Sequence, residues 1–153
     1  MIELRAVESA DGDALHAIFI EAGVRRFLFD DVELTRAETQ EHVDAAVGQG
    51  AWTIRQDGAT VGLVALRPVG PDRELIIAVS ESCWGCGIAL HAARQAMRHG
   101  FDVLGLEGIL ATVDLPNQRS HRLMARLGFA PTGEGHGPKY PCRRYEALRR
   151  SGT

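Results

Sequence analysis

The segment IIAVSESCWGCGIALHAARQAM, residues 76–97, constrains this chain more than any other. An apolar run, a turn with glycines at Gly85 and Gly87, and an alanine-rich helical pattern follow one another without a break. A buried strand that feeds directly into a helix calls for a sheet with a helix packed across it, so the chain reads as α/β. The junction also leaves several backbone N–H groups unpaired where the helix dipole is positive. Small residues at Gly85, Gly87 and Ala89 would let a pyrophosphate approach the main chain. A plain tight connection has the same appearance, and the segment by itself leaves both readings open.

Cys83 and Cys86 give the same turn a C-x-x-C spacing. A redox pair at a helix start would have a lowered thiol pKa. A thioredoxin-like chain, however, needs a helix after the strand and proline around Pro131, and GEGHGPKYPCRRYEALRR contains none. Cys83, Cys86, His136 and Cys142 are four nominal zinc ligands at a spacing that fits no common structural site, so no metal is expected. A dinucleotide fold also fails. The third glycine position is Leu90, Asp114 lies too far along, and too little chain follows for a doubly wound sheet. Serine-hydrolase, P-loop, zincin and calcium-loop patterns are absent, and each of the six histidines stands alone, as a solvated or structural residue does.

At 153 residues the chain has the length of one domain, expected over 1–153. No apolar run approaches the ~20 residues of a membrane span, and the acidic start MIELRAVESADGD is unlike a signal peptide. Three cysteines, an odd number, suit a reducing compartment, so a cytoplasmic location is expected. Charge is unevenly placed: residues 1–80 carry 14 acidic and 7 basic side chains, residues 81–153 carry 6 and 10. The basic part begins at the glycine turn, which suits a small polyanionic ligand. No basic tract interleaved with aromatics points to nucleic acid.

Along the chain, IELRAV reads as a strand, and DGDALHAIFIEAG as a helix with Asp11 or Asp13 as N-cap, Ala14, Leu15, Ile18 and Phe19 inward, and Gly23 as stop. VRRFLFDDVE follows, too aromatic for an idle loop. Thr35 and Glu38 form a capping box for a helix ending at Gly48 or Gly50. AWTIRQ and ATVGLVALRPV make a hairpin through Asp57-Gly58, and RELIIAVS is a third strand buried on both faces. The next helix spans Gly87 to His99 with Ile88, Ala89, Ala92, Ala93, Ala96 and Met97 inward, closed by Gly100. GLEGILATVD is a strand and NQRSHRLMARLGF a short helix with Leu123, Met124 and Leu127 inward and Gly128 as the left-handed terminator. Strands around FAPTG and RRYEAL end the chain. The resulting order is β-α-α-β-β-β-α-β-α-β-β, a mixed sheet.

The stretch CWGCGIALHAARQAMRHGFDVLGLEGILATVDLPNQRSHRLMARLGF resembles the acetyl-CoA core of the GNAT superfamily of N-acetyltransferases. The shared features are W-G-x-G-I-A at a strand–helix junction, a helix ending in GF, a strand, then N-x-x-S and a closing LGF. The resemblance is nearest to the branch containing the ribosomal-protein N-terminal acetyltransferases. It implies a GNAT-like fold with acetyl-CoA as co-substrate, and an acetyl group passed to a primary amine, either a small molecule or a protein N-terminus. It further implies that the amides of Trp84, Gly85, Cys86, Gly87, Ile88 and Ala89 hold the diphosphate, and that Ala78, Val79 and Ser80 run beside the pantetheine arm. Asn117 then contacts the cofactor and Ser120 acts on the leaving thiolate. Glu74, at the start of the strand beside the thioester, is the candidate base. Asp30, Asp31 and Glu33 fall where the acceptor wall forms and are candidates for drawing in a cationic amine. A homodimer is allowed, with neither nucleic acid nor membrane as partner. The sequence departs from the family at Met124, where a tyrosine acid is frequent, and at Thr112, where some relatives carry a carboxylate. Those departures keep a second class open, an acyl-CoA-binding sensor or interaction module without turnover.

Overall fold

The computed structural model describes residues 1–150; residues 151–153 of the expected domain lie outside the described residues. The elements are β1 (Ile2–Ala6), α1 (Gly12–Phe19), α2 (Ala22–Leu28), α3 (Arg36–Ala46), β2 (Ala51–Gln56), β3 (Ala59–Val69), β4 (Asp72–Val79), α4 (Ile88–Asp102), β5 (Gly108–Asp114), α5 (Gln118–Leu127), β6 (Ala130–His136) and β7 (Pro141–Leu148). They build one seven-stranded sheet in the order β1-β2-β3-β4-β5-β7-β6. Only β4 and β5 run parallel. The mixed α/β architecture and strand order are those the sequence implies. Among the described residues no helix is long and apolar enough to cross a membrane.

The meander β1–β4 follows from local chemistry. Asp57 and Gly58 both take positive φ, 51° and 84°, which turns the β2–β3 hairpin with the twist the strands need. Thr35 and Glu38 form the anticipated capping box, with Glu38 N–H donating to Thr35 Oγ1 at 3.1 Å and Thr35 N–H to Glu38 Oε1 at 2.9 Å. Helix α4 covers one face of the sheet, its Ala92, Ala93 and Ala96 almost wholly buried among Ile54, Val64, Leu66, Leu75 and Ile109. Methyl-sized side chains bring its backbone close to the strands. The helices before β2 cover the other face, where Leu15, Ile18, Phe19 and Val43 meet Ala51, Ala65 and Ala78. Strand β4 therefore contributes to both layers, as its apolar run requires.

Four local expectations change. The aromatic segment after α1 forms a further helix, α2, and Gly23 sits inside it rather than ending α1. The chain breaks instead at Glu21, held extended at φ −61°, ψ 133°, because its carboxylate is bonded to the end of β4. Helix α4 runs through Gly100 to Asp102, and that glycine serves close packing against Leu66 and Leu106. Asp11 stands at the N-cap position of α1, but its carboxylate binds Arg5 at 2.5 Å and the Glu8 N–H at 2.8 Å. The last two strands extend to Ala130–His136 and Pro141–Leu148, longer than the sequence marks.

Gly62 of β3 lies opposite Val79, and a Cβ there would stand 2.3 Å from the Ala78 carbonyl oxygen. Overpacking of this kind costs about 1–3 kcal/mol. Gly62→Ala should lower the urea midpoint correspondingly with an unchanged m-value; an unmoved midpoint would show that β3 and β4 have room to separate.

Candidate active site

The parallel ladder between β4 and β5 is confined to one pair, Glu74 with Leu110. Beyond it β4 stays paired with β3 and β5 with β7, so the two strands part and leave a wedge-shaped cleft of about 190 Å³. Ile77 and Val79 line it from β4, Val113 and Asp114 from β5, and Phe27 and Ser120 from the flanking helices. Ser80 N–H donates to the Val61 carbonyl at 2.9 Å. By antiparallel alternation Ser80 and Ala78 turn their backbone groups to β3, while Ile77 and Val79 turn theirs into the cleft. Of the three expected strand contacts, Val79 thus faces the gap with its main chain; Ile77, which the motif does not mark, joins it.

At the open end of β4 a short 3₁₀ turn, Glu81–Cys83, leads to Trp84-Gly85-Cys86-Gly87 and into α4. Gly85 and Gly87 have φ of 81° and 78°, and an added Cβ would meet nothing within 4 Å at either. Gly87 caps α4 without any side-chain hydrogen bond, so the first-turn amides of the helix keep their donors. An open main-chain cradle with unspent donors fits a diphosphate. Cys83 is half-buried, Cys86 exposed and Cys142 buried, all as free thiols, and among the described residues no cluster of three or more potential metal ligands exists.

Trp84 also acts through its side chain. Its indole N–H donates to the Val79 carbonyl at 2.8 Å, and the Arg119 guanidinium lies 3.6 Å from the ring centre. Glu21 accepts from Ser80 Oγ at 2.8 Å and from Glu81 N–H at 2.7 Å, and Glu81 in turn accepts from Gly23 N–H at 2.6 Å. These reciprocal bonds latch the α1–α2 corner to the end of β4. No short motif announces Glu21 or Glu81, whose partners lie about sixty residues away in sequence.

Asn117 and Ser120 both line the cleft, bonded to each other as cap and third residue of α5. Ser120 N–H donates to Asn117 Oδ1 at 3.3 Å, which places Nδ2 as donor to Ser120 Oγ at 2.9 Å. The serine oxygen is then an acceptor in this pair, leaving its own O–H proton free to be given away. His121 supports the turn. Its Nε2 lies 3.1 Å from the Asp114 and Leu115 carbonyls, which only accept, so Nε2 carries the proton and Nδ1 accepts from Tyr145 O–H at 2.6 Å.

The candidate carboxylates separate into distinct environments. Glu74 sits at the closed apex, bound by Arg67 at 2.5 Å and Thr112 Oγ1 at 3.2 Å, and does not line the cleft. Arg25 binds Glu33 at 2.8 Å and Asp31 at 3.3 Å, and Lys139 reaches Asp31 at 3.1 Å. The hydrogen bonds from Lys139 and then Arg25 hold the Asp31 carboxyl below the usual range. Asp30 has no such ion pair among the described residues; its charge, added to burial, pushes the Asp114 carboxyl upward. Phe27 and Tyr140, with ring centres 5.6 Å apart, join α2 to the β6–β7 hairpin beside this group.

The chain matches the family model of the acetyltransferase (GNAT) domain over residues 2–130, and with this fold and cleft it belongs to that family. It is 30% identical over 139 residues to spermidine N(1)-acetyltransferase of Escherichia coli strain K12, covering 87% of this chain and 75% of that protein. Among solved structures, a GNAT acetyltransferase from Bacillus anthracis superposes with a TM-score of 0.85 at 22% identity, over 96% and 94% of the two chains. The ribosomal alpha-N-protein acetyltransferase RimL in complex with coenzyme A gives 0.83 at 19% identity, over 96% and 93%. Such relatives span polyamine and ribosomal-protein enzymes, so the resemblance extends to the superfamily and does not single out the ribosomal branch. The chain is an acetyl-CoA-dependent acetyltransferase that acts on an amine.

The Asp31–Lys139 tie makes a separate prediction. Because the Asp31 pKa is lowered on folding, the tie is in force above the ordinary carboxylate range and is lost as pH falls through the lowered value. At neutral pH, Asp31→Asn should speed amide exchange in residues 137–140 while leaving the urea midpoint almost unmoved, since exposed pairs add little to global stability. Unchanged exchange in that hairpin would show that the ion pair does not hold it.

Proposed function

We propose that the chain acetylates a small cationic amine of the polyamine kind. The observation that carries this reading is Asp114, a carboxylate that lines the cleft and has no basic partner among the described residues, its negative field reinforced by the charge of Asp30. Asp31 and Glu33, by contrast, are spent on Arg25 and Lys139. Phe27 and Tyr140 supply an aromatic wall for an alkyl stem or an ammonium face. The excess of acidic over basic residues in 1–80 favours an incoming cation, and the name of the 30%-identical relative supports the same class.

In this reading the whole chain acts as one catalytic unit. Acetyl-CoA supplies the acetyl group as a thioester. The loop amides of Trp84, Gly85, Cys86, Gly87, Ile88 and Ala89 hold its diphosphate, while Val79 and Ile77 offer main-chain groups to its arm, with Ala78 and Ser80 behind them. Val79 N–H is aimed at the oxygen on which negative charge develops, a contribution of ~3 kcal/mol when the donor is preorganised. Alignment of the two reactants in the wedge contributes a further ~7–11 kcal/mol. Asn117 sets Ser120 so that its hydroxyl can protonate the departing thiolate. With a thiol pKa of ~8.5 the leaving group needs only modest help, which suits a serine and dispenses with the tyrosine that Met124 replaces. Glu74 keeps a structural part, tying β3, β4 and β5 at the apex.

Turnover of acetyl-CoA with spermidine, spermine, a monoamine and a short peptide bearing a free N-terminus tests the acceptor. Polyamines should give the largest kcat/KM; turnover of the peptide alone would overturn the acceptor class, and tight coenzyme binding with no turnover on any amine would favour a sensor. For the cofactor loop, Gly87→Val should raise the acetyl-CoA Kd at least ~10-fold, the loss of one charge-assisted hydrogen bond. Cys83→Ser should leave it unchanged. Calorimetry that shows the reverse order would return the thiols to the centre of the site.

A further inference from the structure

We propose that Asp114 takes the proton from the acceptor nitrogen during acetyl transfer. This inference rests on the amine-acetylation reading above and assigns its missing base. Asp114 stands four residues beyond Leu110, as Ala78 stands four beyond Glu74, so the carboxylate lies across the open wedge from the Ala78–Val79 segment. At a strand rise of about 3.3 Å per residue the pair is roughly 13 Å out from the apex, where Glu74 is held. The cleft is also lined by Asn117 and Ser120, three and six residues further along the chain.

Among the described residues lining the cleft, Asp114 is the sole carboxylate, and no His, Lys, Tyr or Cys accompanies it. Arg119 offers only hydrogen-bond donors and is stacked on Trp84. Glu21 and Glu81 are tied to backbone N–H groups and Ser80, and His121 has both nitrogens engaged by Tyr145 and two carbonyls. The Asp114 carboxylate has neither a hydrogen bond nor an ion pair among the described residues, so its lone pairs are available. A Cβ added at Gly137 would come within 3.6 Å of its Oδ1, which places the β6–β7 hairpin directly beside it.

The steps balance. The acceptor arrives as an ammonium and leaves as an amide, so nitrogen gives up two protons. The first goes to solvent before attack. The nitrogen lone pair then forms the C–N bond as the carbonyl π pair moves to oxygen beside Val79 N–H. When that pair returns, the C–S bond breaks, the second nitrogen proton passes to Asp114, and the thiolate takes a proton from Ser120. Solvent restores Ser120 and removes the proton from Asp114. Asp30, two residues beyond α2, is the charge that acts on Asp114; His121 on α5 meets its carbonyl, Arg143 on β7 pairs with its neighbour Val113, and Lys139 and Tyr140 follow Gly137 in the hairpin beside it. Of these, Asp30 adds to the effect of burial in raising its pKa, which moves the base towards the working pH.

The test compares wild type with Asp114→Asn, Asp114→Glu and Asp30→Asn on the best amine of the panel. Asp114→Asn should lose ~10²-fold or more in kcat with the KM for acetyl-CoA within about twofold, and Asp114→Glu should recover part of the loss. In wild type, log kcat should steepen below the Asp114 pKa. That break should vanish in Asp114→Asn and move to lower pH in Asp30→Asn, since removing a neighbouring negative charge lowers the pKa. A carboxyl whose pKa is raised on folding weakens the native state once pH exceeds that pKa, so Asp114→Asn should melt no lower than wild type at neutral pH. A variant Asp114→Asn within about threefold of wild-type kcat, or a persisting break, overturns the assignment while the acetyltransferase reading stands. A wild type inert towards every amine brings both down.

Discussion

One backbone fact organises this molecule: β4 and β5 meet at Glu74 and Leu110 and then separate. Each strand has a second partner that it follows without interruption, β3 for β4 and β7 for β5, so the separation leaves no sheet partner on the facing edges. The main-chain N–H groups of Ile77 and Val79 turn into the gap, where an extended ligand can take the place of the missing neighbour, while the Val79 carbonyl already accepts from the Trp84 indole. The apex is closed by Glu74, which receives Arg67 from β3 and Thr112 from β5. A closed apex and an open mouth give the cleft a direction, with the glycine cradle and the start of α5 both at its wide end.

The wide end is held by contacts between distant parts of the chain. Glu21 and Glu81 join the α1–α2 corner to β4 through backbone N–H groups, and Trp84 joins β4 to α5 through Val79 and Arg119. His121 joins α5 to β7 through Tyr145 while fixing the carbonyls that follow β5. Asp31–Lys139 and Phe27–Tyr140 link α2 and the turn after it to the last hairpin. These contacts hold main-chain dipoles and the Ser120 hydroxyl fixed at the cleft, the preorganisation that electrostatic catalysis requires.

Much of this arrangement is legible in the chain. The hairpin at Asp57-Gly58, the capping box at Thr35 and Glu38, the left-handed Gly128 and the alanine face of α4 are local signals, and local signals survive into the fold. The glycine turn before α4 is legible for the same reason, since its chemistry is that of consecutive amides and glycines. The extra helix α2 is not, because its boundary at Glu21 is drawn by Ser80 and Glu81. The carboxylates are least legible of all. Asp30, Asp31, Glu33, Glu74 and Asp114 differ little as sequence, yet Arg25 and Lys139 bind two, Arg67 pins one, and Asp30 and Asp114 have no ion pair among the described residues.

The sequence by itself determined the class of fold, the strand–loop–helix that suits a diphosphate, and the Asn117–Ser120 spacing, because each depends on residues within a few positions of one another. Tertiary structure alone decided which backbone groups open onto the cleft, which acids are taken up by basic partners, and which one lines the wedge between β4 and β5. Those outcomes depend on partners many residues away, and a carboxylate acquires its role from the charges and burial that folding brings to it.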